Sequence, residues 1–150
     1  MTRTDGVTLF ARLALGAAFL SGIASRFGWW GAGVGYGSWA NFVKYTAEVN
    51  AFMPAATIPF LAVAATAAEL VLGVALVVGF RLRWTALASA ALLALFGVAM
   101  AISLGPKEPL DYSVFSACAA ALLLAGRSTD VTARAHPRRT EPPRRPVEVR

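Results

Sequence analysis

Four long apolar runs, each closed by charged or turn-forming residues, organise the chain: Val7 to Ser25, Ala55 to Phe80, Trp84 to Leu104, and about Pro109 to Gly126. A helix crossing about 30 Å of hydrocarbon at about 1.5 Å per residue needs roughly 20 mostly apolar residues. The pattern therefore predicts four membrane-spanning helices. The fourth run is purely apolar only from Tyr112. It reaches span length if Pro109 occupies a first helical position, Asp111 sits at the positive end of the helix dipole, and slight bilayer thinning with snorkelling by Arg127 covers the rest. A cleaved signal peptide over the first run, with Arg3 as its basic start and a site near Gly22 to Ser25, is disfavoured. Arg12 interrupts the apolar stretch, and no clean small-x-small site follows.

The polar intervals set the connections. Arg81-Leu82-Arg83 is so short that the second and third spans must be antiparallel neighbours. The interval 26–54 is longer and has two parts. A glycine-rich aromatic stretch runs from Phe27 to Trp39, and then Phe42, Tyr45, Thr46, Val49, Phe52 and Met53 recur at helical spacing, with Lys44 and Glu48 opposite. This is the pattern of a short helix lying in the membrane interface. Trp29, Trp30, Tyr36 and Trp39 read as an outer lid over a ligand cavity or, more simply, as an aromatic belt at headgroup depth. From Arg127 onward the chain holds seven arginines, three acids and four prolines and little that could build a core. Residues 127–150 are expected to be a disordered basic tail.

Composition agrees with a lipid-embedded body, since 57% of the residues are apolar and only 15% charged. Basic residues then orient it. With four spans, the N-terminus, the Arg81 to Arg83 turn and the tail share one side, which carries eleven of the 14 lysines and arginines. Basic loops are retained in the cytoplasm. The expected architecture is thus an all-α, four-helix transmembrane bundle with both termini cytoplasmic, and Arg81, Arg83 and Arg127 at lipid headgroups. The basic tail lacks a folded reader module or interleaved aromatics, so lipid rather than nucleic acid is its expected contact.

Several chemistries are excluded. Cys118 is the one cysteine and His136 the one histidine, which rules out an intramolecular disulfide, a Cys/His metal cluster and haem held by two histidines. No phosphate-binding loop or nucleophile elbow is present, and no inverted repeat is visible. Cys118, among alanines, reads as a small apolar residue.

The ionisable groups inside the spans are the candidate site. Glu69 lies near the middle of the second run, at a depth where a carboxylate costs a few kcal/mol unless paired. Its face carries Ala65 and Gly73, with Ala62 and Leu76 beside it, a small-residue stripe that turns Glu69 into the bundle. Arg12, about a turn and a half into the first span, is its expected partner. Tyr45, Asp111, Ser113 and Ser116 are further candidates nearer the outer face. The set reads either as a polar site for a ligand headgroup or proton, or as a buried pair that only sets helix register.

These residues together resemble the DoxX family of small four-span bacterial membrane proteins. The likeness rests on Arg12-Leu-Ala-Leu-Gly16 followed by Phe19-Leu-Ser-Gly22, on Ala68-Glu69-Leu70-Val-Leu-Gly73 running to Val78-Gly79 and Arg83, and on Pro109-Leu-Asp111-Tyr112-Ser113. It extends from about Leu9 to Gly126. Where such relatives often carry Lys after the first span's glycine, this chain has Ser25-Arg26, which keeps the charge. Some relatives are membrane subunits of thiosulfate:quinone oxidoreductase or parts of redox assemblies. The resemblance thus implies an accessory subunit with a bound quinone, rather than a complete enzyme, in the bacterial cytoplasmic membrane, working with a redox partner subunit or as a homo-oligomer. The other expectation is a binding or transport protein for a small lipophilic molecule with no redox role.

Overall fold

A computed structural model describes residues 3–31 and 33–135, and every regular element among them is helical. Helix α1 spans Arg3–Arg26, α2 Trp39–Val49, α3 Ile58–Val78, α4 Leu82–Leu104, α5 Lys107–Asp111 and α6 Val114–Ala135, with a single 3-10 turn at Ala55–Thr57 before α3. Segments Gly6–Arg26, Ala55–Val78 and Leu82–Leu104 are long and apolar enough to cross a membrane, and Val114–Arg127 is a shorter apolar helix. The protein is a four-helix membrane bundle.

Two antiparallel pairs build it, α1 against α3 and α4 against α6, joined by the α3–α4 turn. Glycines allow the first pair to approach closely. A Cβ added to Gly16 would lie 2.8 Å from Val77 Cγ2 and 2.9 Å from the Gly73 carbonyl oxygen, and one on Gly73 would lie 3.2 Å from Phe19 and Leu20. Such small-residue contacts let helices pack in lipid, where exclusion of water supplies no drive. Leu15 and Phe19 of α1 and Leu76 of α3 meet Ala86 and Ala90 of α4 and Ala121, Leu124 and Ala125 of α6 in one core. In the second pair, Cys118 Sγ donates to the Ala90 carbonyl at 3.3 Å, and Gly97 faces the Phe115 ring. That register puts Arg127 at the same end of the bundle as Arg83.

Backbone capping makes the α3–α4 turn tight. Gly79, at φ +79°, closes α3 with its N–H toward the Leu76 carbonyl while the Phe80 N–H reaches Ala75, and Arg81 follows at φ +39°. This pairing of bonds needs a left-handed residue just beyond the helix, which glycine adopts without a steric penalty. Thr85 Oγ1 then donates to the Phe80 carbonyl at 2.7 Å.

Two boundaries differ from the sequence pattern. The fourth apolar run does not form one helix from Pro109: α5 ends at Asp111, Ser113 takes φ +54°, and α6 begins at Val114. Pro109 is buried in α5, and the Tyr112 and Ser113 N–H groups close that helix onto Glu108 and Leu110. The helix lost there is recovered at the other end, because α6 continues through Gly126 and Arg127 to Ala135. Segment 127–135, expected within the disordered tail, is therefore helical. It contains no breaker, and the residue before Pro137 is the first that proline disfavours in a helix. His136 and the rest of the tail lie outside the described residues.

Candidate functional site

At the C-terminal end of α1, Arg26 turns into the bundle and is only 4% exposed, as is Glu69 of α3. Arg26 Nη2 donates to Glu69 Oε1 at 2.6 Å and Oε2 at 2.7 Å, and Nη1 donates to Thr66 Oγ1 at 2.7 Å. The Thr66 hydroxyl in turn donates to the Ala62 carbonyl at 2.8 Å. Glu69 and Thr66 share this face of α3, and Gly22 of α1 faces the carboxylate, where an added Cβ would make an ordinary contact at 3.5 Å with Oε2. Two opposite charges so arranged cancel in a medium that penalises each alone.

The Arg26 guanidinium lies over the Phe42 ring, with Cζ 3.8 Å from the centroid. At that distance the ring's electron-rich face attracts a desolvated cation. Phe42 belongs to α2, whose start is fixed by Ser38: its hydroxyl accepts from the Asn41 N–H at 3.2 Å. Phe42, Thr46 and Val49 form the buried face of α2, while Lys44 and Glu48 are exposed. Other rings gather on Phe42, with Tyr36 edge-on at 5.1 Å and Trp39 tilted at 5.5 Å. Phe27 stacks on Trp39 at 5.9 Å and 11°, and Tyr45 is 5.5 Å from Tyr36.

The loop between α1 and α2 is latched over this group by Ser25, whose Oγ accepts from the Tyr36 N–H at 2.9 Å. Gly35, at φ +62°, leaves the space the latch needs, because a Cβ there would fall 2.1 Å from Ser25 Oγ. Gly35→Ala is accordingly expected to release the latch while leaving the Arg26–Glu69 pair in place. Amide hydrogen exchange would show faster exchange at Tyr36 and unchanged protection in α3; an unchanged Tyr36 rate would show that the latch does not hold the loop. Burial raises the pKa of Tyr36 above 10.0, Arg26 opposing and Glu69 and Tyr112 adding to the rise. Burial likewise raises that of Tyr45, helped by Tyr36, Tyr112, Glu108 and Glu48. Both phenols therefore remain neutral beyond the pH at which a free tyrosine ionises.

The expected partner of Glu69 is corrected. Arg12 does not pair with it: its Nη2 donates to the Val77 carbonyl at 3.2 Å and its guanidinium rests against Gly79. There it offers positive charge to the last carbonyls of α3, the negative end of the helix dipole. Gly79 is ten residues from Glu69, about 15 Å along a helix. The ion pair instead goes to Arg26, which the sequence reading left as a boundary charge on the opposite side.

Of the remaining candidates, Tyr36, Trp39 and Tyr45 join the aromatic group. Trp29 is 77% exposed, and Trp30 lies back along α1, its indole N–H donating to the Ser21 carbonyl at 3.2 Å. Asp111 is exposed and pairs with Lys107 within α5. Ser113 and Ser116 are exposed as well, so none of these three meets the Arg26–Glu69 pair. Arg81, Arg83 and Arg127 are exposed at the opposite end of the bundle, Arg83 beside the Trp84 ring at 5.6 Å. Arg26, Thr66 and Phe42 are the members that sequence reasoning missed. A signal for Arg26 was present: an arginine directly after an apolar span, with a carboxylate facing inward on the next.

One family model, DoxX, matches residues 7–102, which include the Arg26–Glu69 pair, the aromatic loop and α2. The match stops short of α5 and α6, so the Pro109 to Ser113 segment lies outside it. No curated protein and no solved structure matches the chain.

Proposed function

The chain belongs to the DoxX family, and from that premise we propose that it is a non-catalytic membrane subunit that holds a quinone for a redox assembly, at the aromatic end of the bundle. The observation that carries this reading is a buried arginine with a hydrogen-bond donor to spare beneath a cluster of flat rings: Arg26 Nε is buried and has no acceptor, Phe42 lies over the guanidinium, and Tyr36 and Trp39 pack against Phe42. Those residues fit a flat ring bearing a carbonyl oxygen. A bound quinone would supply the electron-accepting chemistry, since the chain's one cysteine and one histidine provide no carrier. The chain's own groups bind and orient. Phe42, Tyr36 and Trp39 offer faces for stacking, Glu69 holds the guanidinium in one orientation, and the loop 27–38 shields both from water. Electrons come from a partner subunit.

Purification in mild detergent, followed by mass spectrometry of extracted small molecules and co-purifying proteins, tests this. A quinone or a redox partner should be recovered with the native protein and depleted with Glu69→Gln. A homo-oligomer carrying a non-redox lipophile would overturn the redox reading and favour a binding or transport protein instead.

The same reading places the protein in a bacterial cytoplasmic membrane with both termini and the Arg81 to Arg83 turn inside, where the basic excess is retained. Arg81, Arg83 and Arg127 then meet anionic headgroups. In a Cys118→Ala background, Ala40→Cys is expected to react with an impermeant thiol reagent on intact cells, whereas Leu82→Cys reacts only after permeabilisation. Labelling of Leu82→Cys from outside would invert the arrangement.

A further inference from the structure

We propose that the Arg26 Nε–H is the recognition donor of an electrically neutral site, which takes an uncharged carbonyl oxygen and refuses anions. This rests on the quinone-holding role proposed above and narrows its ligand to one chemistry at one atom.

The donor count leads there. A guanidinium offers five N–H groups and no acceptor. Arg26 Nη2 donates to both oxygens of the Glu69 carboxylate and Nη1 donates to Thr66, which leaves Nε as the one guanidinium nitrogen without a partner. The Nε–H has no partner although its residue is 96% buried, from 4% exposure. A buried donor without an acceptor is uncommon in folded proteins, because it forfeits the hydrogen bonds it would make to water. An incoming acceptor removes that deficit.

The charge count decides what kind of acceptor. Glu69 already neutralises Arg26 through two bonds. An anion would bring a second negative charge beside the carboxylate and would have to be stripped of its water, without a free positive charge to receive it. A carbonyl oxygen carries no such charge and matches one N–H. The surroundings suit a flat carrier of that carbonyl, because the guanidinium already stacks on Phe42 at 3.8 Å and the Tyr36 and Trp39 rings pack against Phe42. Entry requires the loop above to yield, and Ser25 latches it through two hydrogen bonds, accepting from the Tyr36 N–H at 2.9 Å and donating to the Val34 carbonyl at 3.5 Å.

Two sources offer such a carbonyl in a membrane, a quinone ring and the ester of a diacyl lipid, and the experiment separates them. Full-length protein is placed in nanodiscs of dialkyl-ether phospholipid, which has no ester, and titrated with a short-chain benzoquinone while tryptophan fluorescence is followed. Trp39, within the ring cluster, is the reporter. Arg26→Lys keeps a positive charge for Glu69 but lacks the guanidinium N–H. Phe42→Leu leaves the pair intact and removes the flat face. Thermal melting checks that both variants fold.

The expected result is saturable quenching, weakened about tenfold or more in Arg26→Lys as one hydrogen bond from a charged donor is lost. It should also weaken in Phe42→Leu and be unaffected by inorganic phosphate or acetate. Equal quinone affinity in Arg26→Lys, with the variant folded, would overturn the assignment to Nε and leave the quinone-holding role standing. Displacement of the quinone by phosphate or acetate would overturn the neutrality of the site. Absence of quinone binding, with ester lipid raising the melting temperature of the native protein but not of Arg26→Lys, would keep the Nε–carbonyl contact and overturn the quinone role. Absence of both effects overturns both.

Discussion

Glu69→Ala is expected to destabilise the bundle by about 3 to 5 kcal/mol, the range for removing one partner of a buried ion pair. It leaves Arg26 buried beside Thr66 and Phe42 with its two strongest bonds gone. Arg26→Ala should cost less. A carboxylate left alone can take a proton and become neutral, whereas a guanidinium cannot shed its charge. The double replacement Arg26→Leu/Glu69→Leu, which removes both charges and fills the space with apolar atoms, should be better tolerated than Glu69→Ala alone. Thermal or denaturant unfolding in detergent of the single and double variants gives the cycle, with a coupling well above 1 kcal/mol expected. Strictly additive losses would show that the two side chains do not interact. Arg12 provides the contrast: bound to the Val77 carbonyl, it should combine additively with Glu69→Ala to within about 0.5 kcal/mol.

Gly16→Val is the second large effect, an expected loss of about 3 kcal/mol at the upper end of the overpacking range. The first added carbon alone would meet the Gly73 carbonyl oxygen at 2.9 Å and Val77 at 2.8 Å. Backbone on the facing helix cannot rotate away, so α1 and α3 must move apart. Separation there would also disturb Arg26 and Glu69, which bridge the same two helices. Stability in detergent should therefore fall together with quinone retention. Gly126→Ala, where an added Cβ meets nothing within 4 Å, is the control and should leave stability unchanged or slightly raised. Equal behaviour of the two variants would mean that the α1–α3 contact is looser than its geometry implies.

Much of this protein is legible along the chain because hydrophobic length is a local property. The apolar runs that define α1, α3 and α4 needed only a count of residues against the thickness of a bilayer, and the family likeness rested on motifs inside them. The inward face of α3 was legible too. Ala62, Glu69, Gly73 and Leu76 recur at helical spacing and are all buried, because a carboxylate and a row of small residues can face only protein in such a helix.

What the sequence alone could not decide is which residues meet across helices. Arg12 and Arg26 lie on the same helix, and either could be matched to Glu69 by counting. The choice depends on how far α1 slides along α3, which Gly16, Gly73 and Gly79 set by close contact. That sliding places Arg12 at the last carbonyls of α3 and Arg26 at Glu69. The roof over the pair was equally out of reach, since Phe42 arrives from α2 and Tyr36 from a loop whose path follows from left-handed glycines and the Ser25 latch. The break at Ser113 and the continuation of α6 to Ala135 have the same origin. Hydropathy reports how apolar a segment is, while helix ends are set by backbone hydrogen bonds and by where the next breaker stands.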